Sequence, residues 1–594
     1  MALKNKFFED FISESLRSKM KLMRHEVQAE DVVWEHNSRQ PISKTVRLSR
    51  FIFVFALIAI ALGAIVLRTA ELQILQGTKW RAVAEGNRIR EIVVPARRGE
   101  ILDINLIPMA KNIPAEQATV IPGDFPDKEK FAEISEKLSS ILSVPKEEIL
   151  DRLEKIFEYK EIRQSYEPII LAEEIKHEAA LSLMEHSESF PGVKVYPSAR
   201  RSYPEKEIIS HSMGYIGKLS QAEWDSLPRV PNESGYLKSD FIGKSGLEYI
   251  YEKELRGIYG WQRIEVDSMG REQKIISETL ALPGKDLITS IDARVQKKAF
   301  ESLRDSLKKV GAKAGSAVAL NPQNGEIIAL ANLPSYDNNS FITGLTEQDR
   351  TQFFQSPERP LLFRAISGIY PSGSTIKPLI AVAALAEGVI TPKTTILSTG
   401  GIRIGASFFP DWKAGGHGAV DVKRAIAESV NTFFYTVGGG YEKFKGLGVE
   451  KLDSYMTLFG LGEKTGIDLP GEAAGLVPDP SWKRTVKKEK WYIGDTYHLS
   501  IGQGDLLTTP LQMASVTAAI ANGGTIFQPH LVKGYLDQRT NNIIEIKPKK
   551  EPEKLSIAAS AFDTVRQGMR QTVLSGSGRA LSGEPFEVAA KTGT

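Results

Sequence analysis

The sequence is 594 residues long, 42% hydrophobic and 25% charged, a globular composition with room for about two to four domains of ~100–200 residues. Its formal net charge is only +3, from 76 Lys+Arg against 73 Asp+Glu, which gives no bulk electrostatic case for a nucleic-acid partner. It has no cysteine, which excludes disulfides, zinc–thiolate sites and thiol nucleophiles.

In chain order, the first feature is Phe7, Phe8, Phe11, Ile12, Leu16, Met20 and Met23, apolar at helical spacing among Lys4, Lys6, Arg17, Lys19 and Lys21. It reads as an interfacial helix or as a helix contacting a partner. Residues 51–67, FIFVFALIAIALGAIVL, then carry no polar side chain and are flanked by Arg47, Arg50 and Arg68. They make about 25 Å of helix, which crosses most of a ~30 Å hydrocarbon core if the arginines snorkel. The polar leader before them is too long for a cleaved signal peptide, and a core helix is rarely apolar on every face. Arg39, Lys44, Arg47 and Arg50 precede the span, against Arg68, Lys79 and Arg81 after it. This bias favours a cytoplasmic amino terminus and an exported body. The expected segments are 1–46 in the cytoplasm and 47–70 across the membrane.

Residues 71–284 mix expected strands (Arg90–Val94, Ala118–Ile121, Gly192–Tyr196) with expected helices (Lys128–Leu142, Lys146–Phe157, Ala172–His186), an elongated α+β module. Ala281-Leu-Pro-Gly284 punctuates the chain and marks a boundary. Beyond it, residues 286–291 read as a strand, Ala293–Leu307 as a helix, and 315–320 with 325–331 as a hairpin about Asn321-Pro-Gln-Asn324. Helices are expected at 374–387, 421–434, 447–459 and 510–522, and a last strand at Glu587–Ala590. Residues 285–594 therefore read as an α+β domain in which helices cover an antiparallel sheet.

A serine hydroxyl needs a neighbouring base to become a nucleophile. Ser-x-x-Lys on a first helical turn meets that need, because the lysine amine shares a face with the hydroxyl and a cleft lowers its preference for the charged form. Four pairs fit the spacing: Ser18/Lys21, Ser143/Lys146, Ser306/Lys309 and Ser374/Lys377. Only the last lies in Tyr370-Pro-Ser-Gly-Ser-Thr-Ile-Lys-Pro378, where Pro371 and Gly373 set a turn that presents a serine at a helix start. A polar relay follows 55 residues later in Ser429-Val-Asn431, expected within a helix from Arg424 to Thr432. Lys591-Thr-Gly-Thr594 supplies a cationic carboxylate site at the end of the expected strand Phe586–Ala590. A second Lys-Thr-Gly, at Lys464–Gly466, falls in a loop and is set aside. Taken singly, each motif also reads as an ordinary cap, helix surface or edge-strand charge; their order and joint occurrence favour chemistry.

Ser374-Thr-Ile-Lys377, Ser429-Val-Asn431 and Lys591-Thr-Gly593 together resemble the penicillin-binding protein and serine β-lactamase superfamily. Arg98-Gly99 with Leu102-Asp103, Gly243-Lys-Ser-Gly-Leu-Glu248 and Leu255-Arg-Gly257 resemble the membrane-proximal pedestal of class B members. Asp411-Trp-Lys413, Gly416-His-Gly418, Trp491-Tyr-Ile-Gly-Asp495 and Ile501-Gly-Gln-Gly504 resemble the elongation type, penicillin-binding protein 2. The likeness covers nearly everything from residue 45 to 594.

The resemblance implies a fold of one transmembrane helix, a dimerisation-type pedestal over 71–284 and a penicillin-binding transpeptidase domain over 285–594. It implies a peptidoglycan D,D-transpeptidase of cell elongation, inhibited by β-lactams, in which Ser374 attacks the penultimate D-alanine carbonyl of a pentapeptide stem and Lys377 takes its proton. Ser429 would relay protons, Asn431 hold the peptide amide, and Lys591, Thr592 and Gly593 bind the terminal carboxylate. The N–H groups of Ser374 and Thr594 would form the oxyanion hole. Expected partners are peptidoglycan stems, β-lactams, a membrane glycosyltransferase of the shape, elongation, division and sporulation family and an elongation-complex scaffold; expected placement is the bacterial cytoplasmic membrane, single-pass, catalytic domain outside. No cofactor or metal is implied, since Asp411 and His417 alone are two candidate ligands without a third. The family continues past its Lys-Thr-Gly triplet, so the sequence is expected to be partial at Thr594. Three alternatives remain open: a division-type transpeptidase, a non-catalytic scaffold that activates a partner glycosyltransferase, and a β-lactam sensor or β-lactamase.

Overall fold

A computed structural model of the chain describes residues 48–78, 89–158, 168–230, 235–266, 272–537, 540 and 542–594. The amphipathic stretch Phe7–Met23, with the pair Ser18/Lys21, lies outside the described residues. The chain divides into two compact units, residues 1–85 and 86–594.

Among the described residues of the first unit one helix is seen, Leu48–Ala70, prolonged by a π-turn at Glu71–Leu75. Within Ile52–Leu75 an 18-residue stretch reaches a mean hydropathy of 2.5 and is not buried against protein. A helix apolar on every side and without a protein partner is suited to hydrocarbon rather than water. It fits a single-pass membrane anchor and extends somewhat past the expected 47–70.

The second unit begins with a three-stranded antiparallel sheet in which Gly260–Val266 lies between Ile89–Val94 and Glu272–Thr279. A seven-stranded mixed sheet runs in the order Asn542–Glu545, Val532–Asp537, Asp286–Thr289, Ile101–Leu102, Pro108–Val120, Ile169–Ile175, with Val193–Ser202 also paired to Pro108–Val120. Its one parallel pair joins Asp286–Thr289 to Ile101–Leu102. Both strands are wholly buried, as parallel strands characteristically are. The expected helix Ala172–His186 is corrected here: residues 169–175 are strand, and the helix is His177–Glu185. The Ala-Glu-Glu of 172–174 favours helix locally, but pairing with Pro108–Val120 in the sheet overrides that preference.

Three apolar cores support this frame. Helices Phe131–Leu142, Lys146–Ile156 and His177–Glu185 bury Phe131, Leu138, Leu153 and Leu183 with Val120 and Leu171. A second core joins Ile101, Met109, Tyr203 and Leu255 to Leu287, Ile327, Leu511 and Val532, so it draws on both sides of residue 284. Beside it Glu248, 0% exposed, accepts from Arg98 Nε (2.8 Å) and Arg201 Nε (2.7 Å), and Tyr203 Oη lies 3.1 Å away. Burial pushes the Glu248 carboxyl up, but the guanidiniums of Arg201 and Arg98 outweigh it and hold it below the usual carboxylate range.

The third core fills the carboxyl-terminal region around helix Lys377–Ala386, whose residues 377–384 are all buried. Helix Asn431–Gly439 and helix Ala559–Leu574 contribute Phe433, Phe434, Phe562 and Val565 to it. The hairpin Gly315–Leu320/Ile327–Leu333 is antiparallel as expected. Gly315 faces Leu303 and Leu307 of helix Ala293–Val310, while Val318 and Leu320 line a cavity with Met513 and Thr517 of helix Pro510–Ala521. Odd and even positions of a strand point to opposite faces, so helices cover the hairpin on both.

Candidate active site

The nucleophile candidate stands at a tight entry. Gly373 takes a positive φ of 53°, a conformation open to glycine at little cost, and a 3₁₀ turn runs from Gly373 to Ile376. Residues three apart eclipse one another in such a turn, which puts Ser374 and Lys377 on one side. Pro378 follows at the second helical position, where a missing N–H costs nothing because that donor has no intrahelical partner.

Lys377 is fully buried. Its Nζ reaches Ser429 O at 2.8 Å, Asn431 Oδ1 at 2.7 Å and Ser429 Oγ at 3.3 Å, with the Phe434 ring 5.4 Å away. Burial, and then the charge of Lys591, hold this amine well below the ordinary lysine range, against a smaller opposing pull from Asp411. A carbonyl and an amide oxygen can only accept, so a neutral amine spends two N–H bonds on them and keeps its lone pair for a hydroxyl. Lys591 Nζ donates to Ser429 Oγ at 2.9 Å and to Thr592 O at 2.7 Å. Ser429 Oγ thus connects the two lysines, accepting from one with its own proton free for the other. Burial lowers the Lys591 amine to about 8. Among the described residues no hydrogen bond joins Ser374 Oγ to Lys377.

Residues 421–434 are not one helix, which corrects the expectation. Helix Val422–Ala427 ends at Glu428, Ser429 takes φ 57°, and a new helix, Asn431–Gly439, begins. Ser429 N bonds to Ile426 O and Val430 N to Ala425 O, the double closure of a Schellman cap whose left-handed position is usually glycine. The break turns Ser429 and Asn431 toward Lys377, where a continuous helix would place two residues so spaced on different faces.

Residues 586–590, expected as strand, form no ladder: Ala590 N bonds to Met569 O, and Arg570 donates to Val588 O, so helix Ala559–Leu574 takes their backbone groups. They still bring Lys591 to Ser429. Thr592 Oγ1 lies 2.7 Å from Ser577 Oγ. Gly593 lies against the nucleophile turn so closely that a Cβ there would stand 2.8 Å from Thr375 Cγ2, and one on Gly373 would stand 2.5 Å from Thr594 O. Of the other described pairs of the same spacing, Ser143 caps a helix in the left-handed conformation while Lys146 binds Glu136, and Ser306 and Lys309 are exposed. Lys464–Gly466 is a loop in which Thr465 and Gly466 bond to Glu472. Among the described residues no group of three His, Cys, Asp or Glu is arranged to hold a metal ion.

The sequence singled out Ile501–Gly504 and Asp411 as motifs but not the contacts they make. Gly502 O accepts from Gly373 N at 2.8 Å, so Ile501-Gly-Gln-Gly504 braces the nucleophile turn. Asp411 accepts from the start of the helix that carries Asn431; no spacing rule ties a loop carboxylate to a helix twenty residues on.

Residues 315–594 match the family model described as the penicillin binding protein transpeptidase domain, and residues 93–289 the penicillin-binding protein dimerisation domain. The peptidoglycan D,D-transpeptidase MrdA of Acinetobacter baumannii is 32% identical over 93% of this chain and 78% of its own length. A solved complex between penicillin-binding protein PBP2 and MreC from Helicobacter pylori is similar at TM-score 0.72 and 27% identity, over 85% of this chain and 88% of that one. A chain from a structure titled for coordination of polymerization and crosslinking by a peptidoglycan synthase complex is similar at TM-score 0.66 and 28% identity, over 92% and 88%. The chain belongs to the penicillin-binding protein family, in the penicillin-binding protein 2 branch that includes MrdA.

Proposed function

We infer that this chain is a peptidoglycan D,D-transpeptidase of cell elongation, acting through a serine acyl-enzyme. The observation that carries the reading is the chain of contacts Lys591–Ser429–Lys377 beside the turn of Ser374. In the reaction, neutral Lys377 accepts the Ser374 hydroxyl proton as Oγ bonds to the carbonyl carbon of the penultimate D-alanine. The peptide bond breaks, terminal D-alanine leaves with a proton delivered along Lys377 and Ser429, and an ester to Ser374 remains. An amine of a neighbouring stem then attacks that ester, loses its proton to the same relay and releases Ser374 with the cross-link made. Charged Lys591, with Thr592 and Gly593, takes the terminal carboxylate, while Asn431 orients the peptide amide. The N–H groups of Ser374 and Thr594 serve the tetrahedral oxyanion. A β-lactam enters as a strained acyl donor and stays on Ser374.

Residues 1–46 are read as cytoplasmic, 47–70 as the anchor, 71–284 as a pedestal and 285–594 as the catalytic domain, outside the bacterial cytoplasmic membrane. Likeness to a chain complexed with MreC and to one from a peptidoglycan synthase complex supports an elongation scaffold and a membrane glycosyltransferase as partners. The test is labelling of the purified chain with a fluorescent penicillin, beside Ser374→Ala. Labelling lost only in the variant is expected; labelling equal in both would refute Ser374 as the acylated residue.

A further inference from the structure

Helix Asn431–Gly439 starts without a cap of its own, because its N-cap residue is Val430. The first N–H groups of a helix need acceptors from elsewhere. Here they find one on a loop twenty residues upstream. Asp411 Oδ1 accepts from Asn431 N at 3.1 Å, and Oδ2 from Thr432 N at 2.9 Å. Thr432 Oγ1 donates to Oδ2 as well, Ser398 Oγ lies 3.2 Å from it, and Trp412 N donates to Oδ1 at 2.9 Å. The carboxylate is buried, and its charge faces the positive end of the helix dipole.

The other end of the same turn is held from the same side. Buried His417 places Nδ1 2.6 Å from Glu428 Oε2 and Nε2 3.6 Å from Asp411 Oδ1. Glu428, the residue before Ser429, also accepts from Arg424 Nε at 2.7 Å, and its carbonyl accepts from Trp412 Nε1 at 3.0 Å. Residues 428 and 431–432 are therefore pinned by one assembly centred on buried Asp411 and His417, and Ser429 is suspended between them at φ 57°. The contacts of this assembly with the site run through the turn, at Glu428, Asn431 and Thr432.

We propose that Asp411 is a positioning residue for acyl transfer: it caps the helix bearing Asn431 and, with His417 and Glu428, fixes the turn so that Ser429 Oγ and Asn431 Oδ1 meet Lys377. The proposal rests on the transpeptidase reading above. A displacement of the turn by about 1 Å is enough to cost two orders of magnitude when the relay depends on bonds of 2.7–3.3 Å.

The test uses the 594-residue chain in detergent, with acylation by a chromogenic β-lactam resolved into its pre-covalent dissociation constant and its acylation rate constant. Asp411→Asn keeps the shape but replaces one acceptor oxygen by a donor facing Thr432 N–H; His417→Gln is the milder second variant. The expected result is a fall of at least tenfold in the acylation rate constant for Asp411→Asn and a smaller fall for His417→Gln. The dissociation constant should change less than twofold and the folded baseline should persist at the assay temperature. An unchanged acylation rate constant in either folded variant overturns the proposal, as does a loss confined to the dissociation constant. If the parent chain itself shows no Ser374-dependent acylation, the transpeptidase reading has failed instead.

Discussion

The Lys591 amine, lowered to about 8 by burial, makes a quantitative demand on the pH dependence of acylation. If its charge holds the carboxylate of the acyl donor, the binding-competent fraction falls from about nine-tenths at pH 7 to about one-tenth at pH 9. The second-order acylation constant of a carboxylate-bearing penicillin should therefore drop about tenfold between those values, with the alkaline limb centred near 8. Lys377 sets the opposite limb. Its amine is held far below the ordinary range by burial and by Lys591, so it becomes the neutral base at much lower pH and the profile rises there. Because the two lysines meet at Ser429 Oγ, the limbs belong to the coupled pair. The discriminating perturbation is Lys591→Arg. A guanidinium stays charged throughout, so the alkaline limb should vanish from the variant even where its absolute rate is reduced. Stopped-flow acylation from pH 6 to 10 measures both proteins. A parent profile that stays flat to pH 9.5, or a limb near 8 that persists in Lys591→Arg, would refute the assignment of the carboxylate site to this lysine.

Three further outcomes follow from local geometry. Both Ser429→Gly and Ser429→Ala should abolish most acylation by removing Oγ, but at φ 57° the glycine variant should be about 1 kcal/mol the more stable by denaturant unfolding; equal stability would remove the strain argument. Gly593→Ala should impair acylation by pushing on Thr375 Cγ2, and Thr375→Ser, which deletes that methyl, should restore part of the loss; additive effects in the double variant would contradict the contact. Glu248→Gln should destabilise the unit 86–594 by roughly 3–5 kcal/mol, because Arg98 and Arg201 lose a buried partner. Since the folded-state value of Glu248 is depressed, its contribution is present above about pH 4.3 and is lost as pH falls through the folded value. The parent's stability should thus fall more steeply in acid than the variant's.

The nucleophile turn was legible in the sequence because its signals are local: Pro371 and Gly373 bend the chain, and Ser374 and Lys377 follow at fixed spacing. The hairpin at 315–333 was legible for the same reason. The break at Ser429 was not. Ala425-Ile-Ala-Glu-Ser-Val-Asn431 has good helix periodicity, and the left-handed residue that ends the first helix is a serine rather than the glycine that announces such caps. Its cost is met by Asp411, Lys377 and Lys591, all distant in sequence. Strand 169–175 was hidden by a similar mechanism, since glutamates that read as helical lie in a ladder fixed by a partner some fifty residues earlier. Residues 586–590 read as strand from composition, yet their backbone bonds go to a helix.

The seven-stranded sheet carries a consequence for how the unit 86–594 behaves under load. Asp286–Thr289 is paired on one edge with Ile101–Leu102 and on the other with Val532–Asp537, and the core around it takes Tyr203 and Leu255 together with Leu511 and Leu531. Severing the chain near 284 would leave that strand half-paired and strip one wall from the core. The two halves should therefore melt as one cooperative body rather than in separate transitions. A force applied at the amino-terminal end of this unit then has no soft joint at 284 in which to dissipate, and bears on strands whose core also takes Ile327 and Leu330 of the hairpin Gly315–Leu320/Ile327–Leu333.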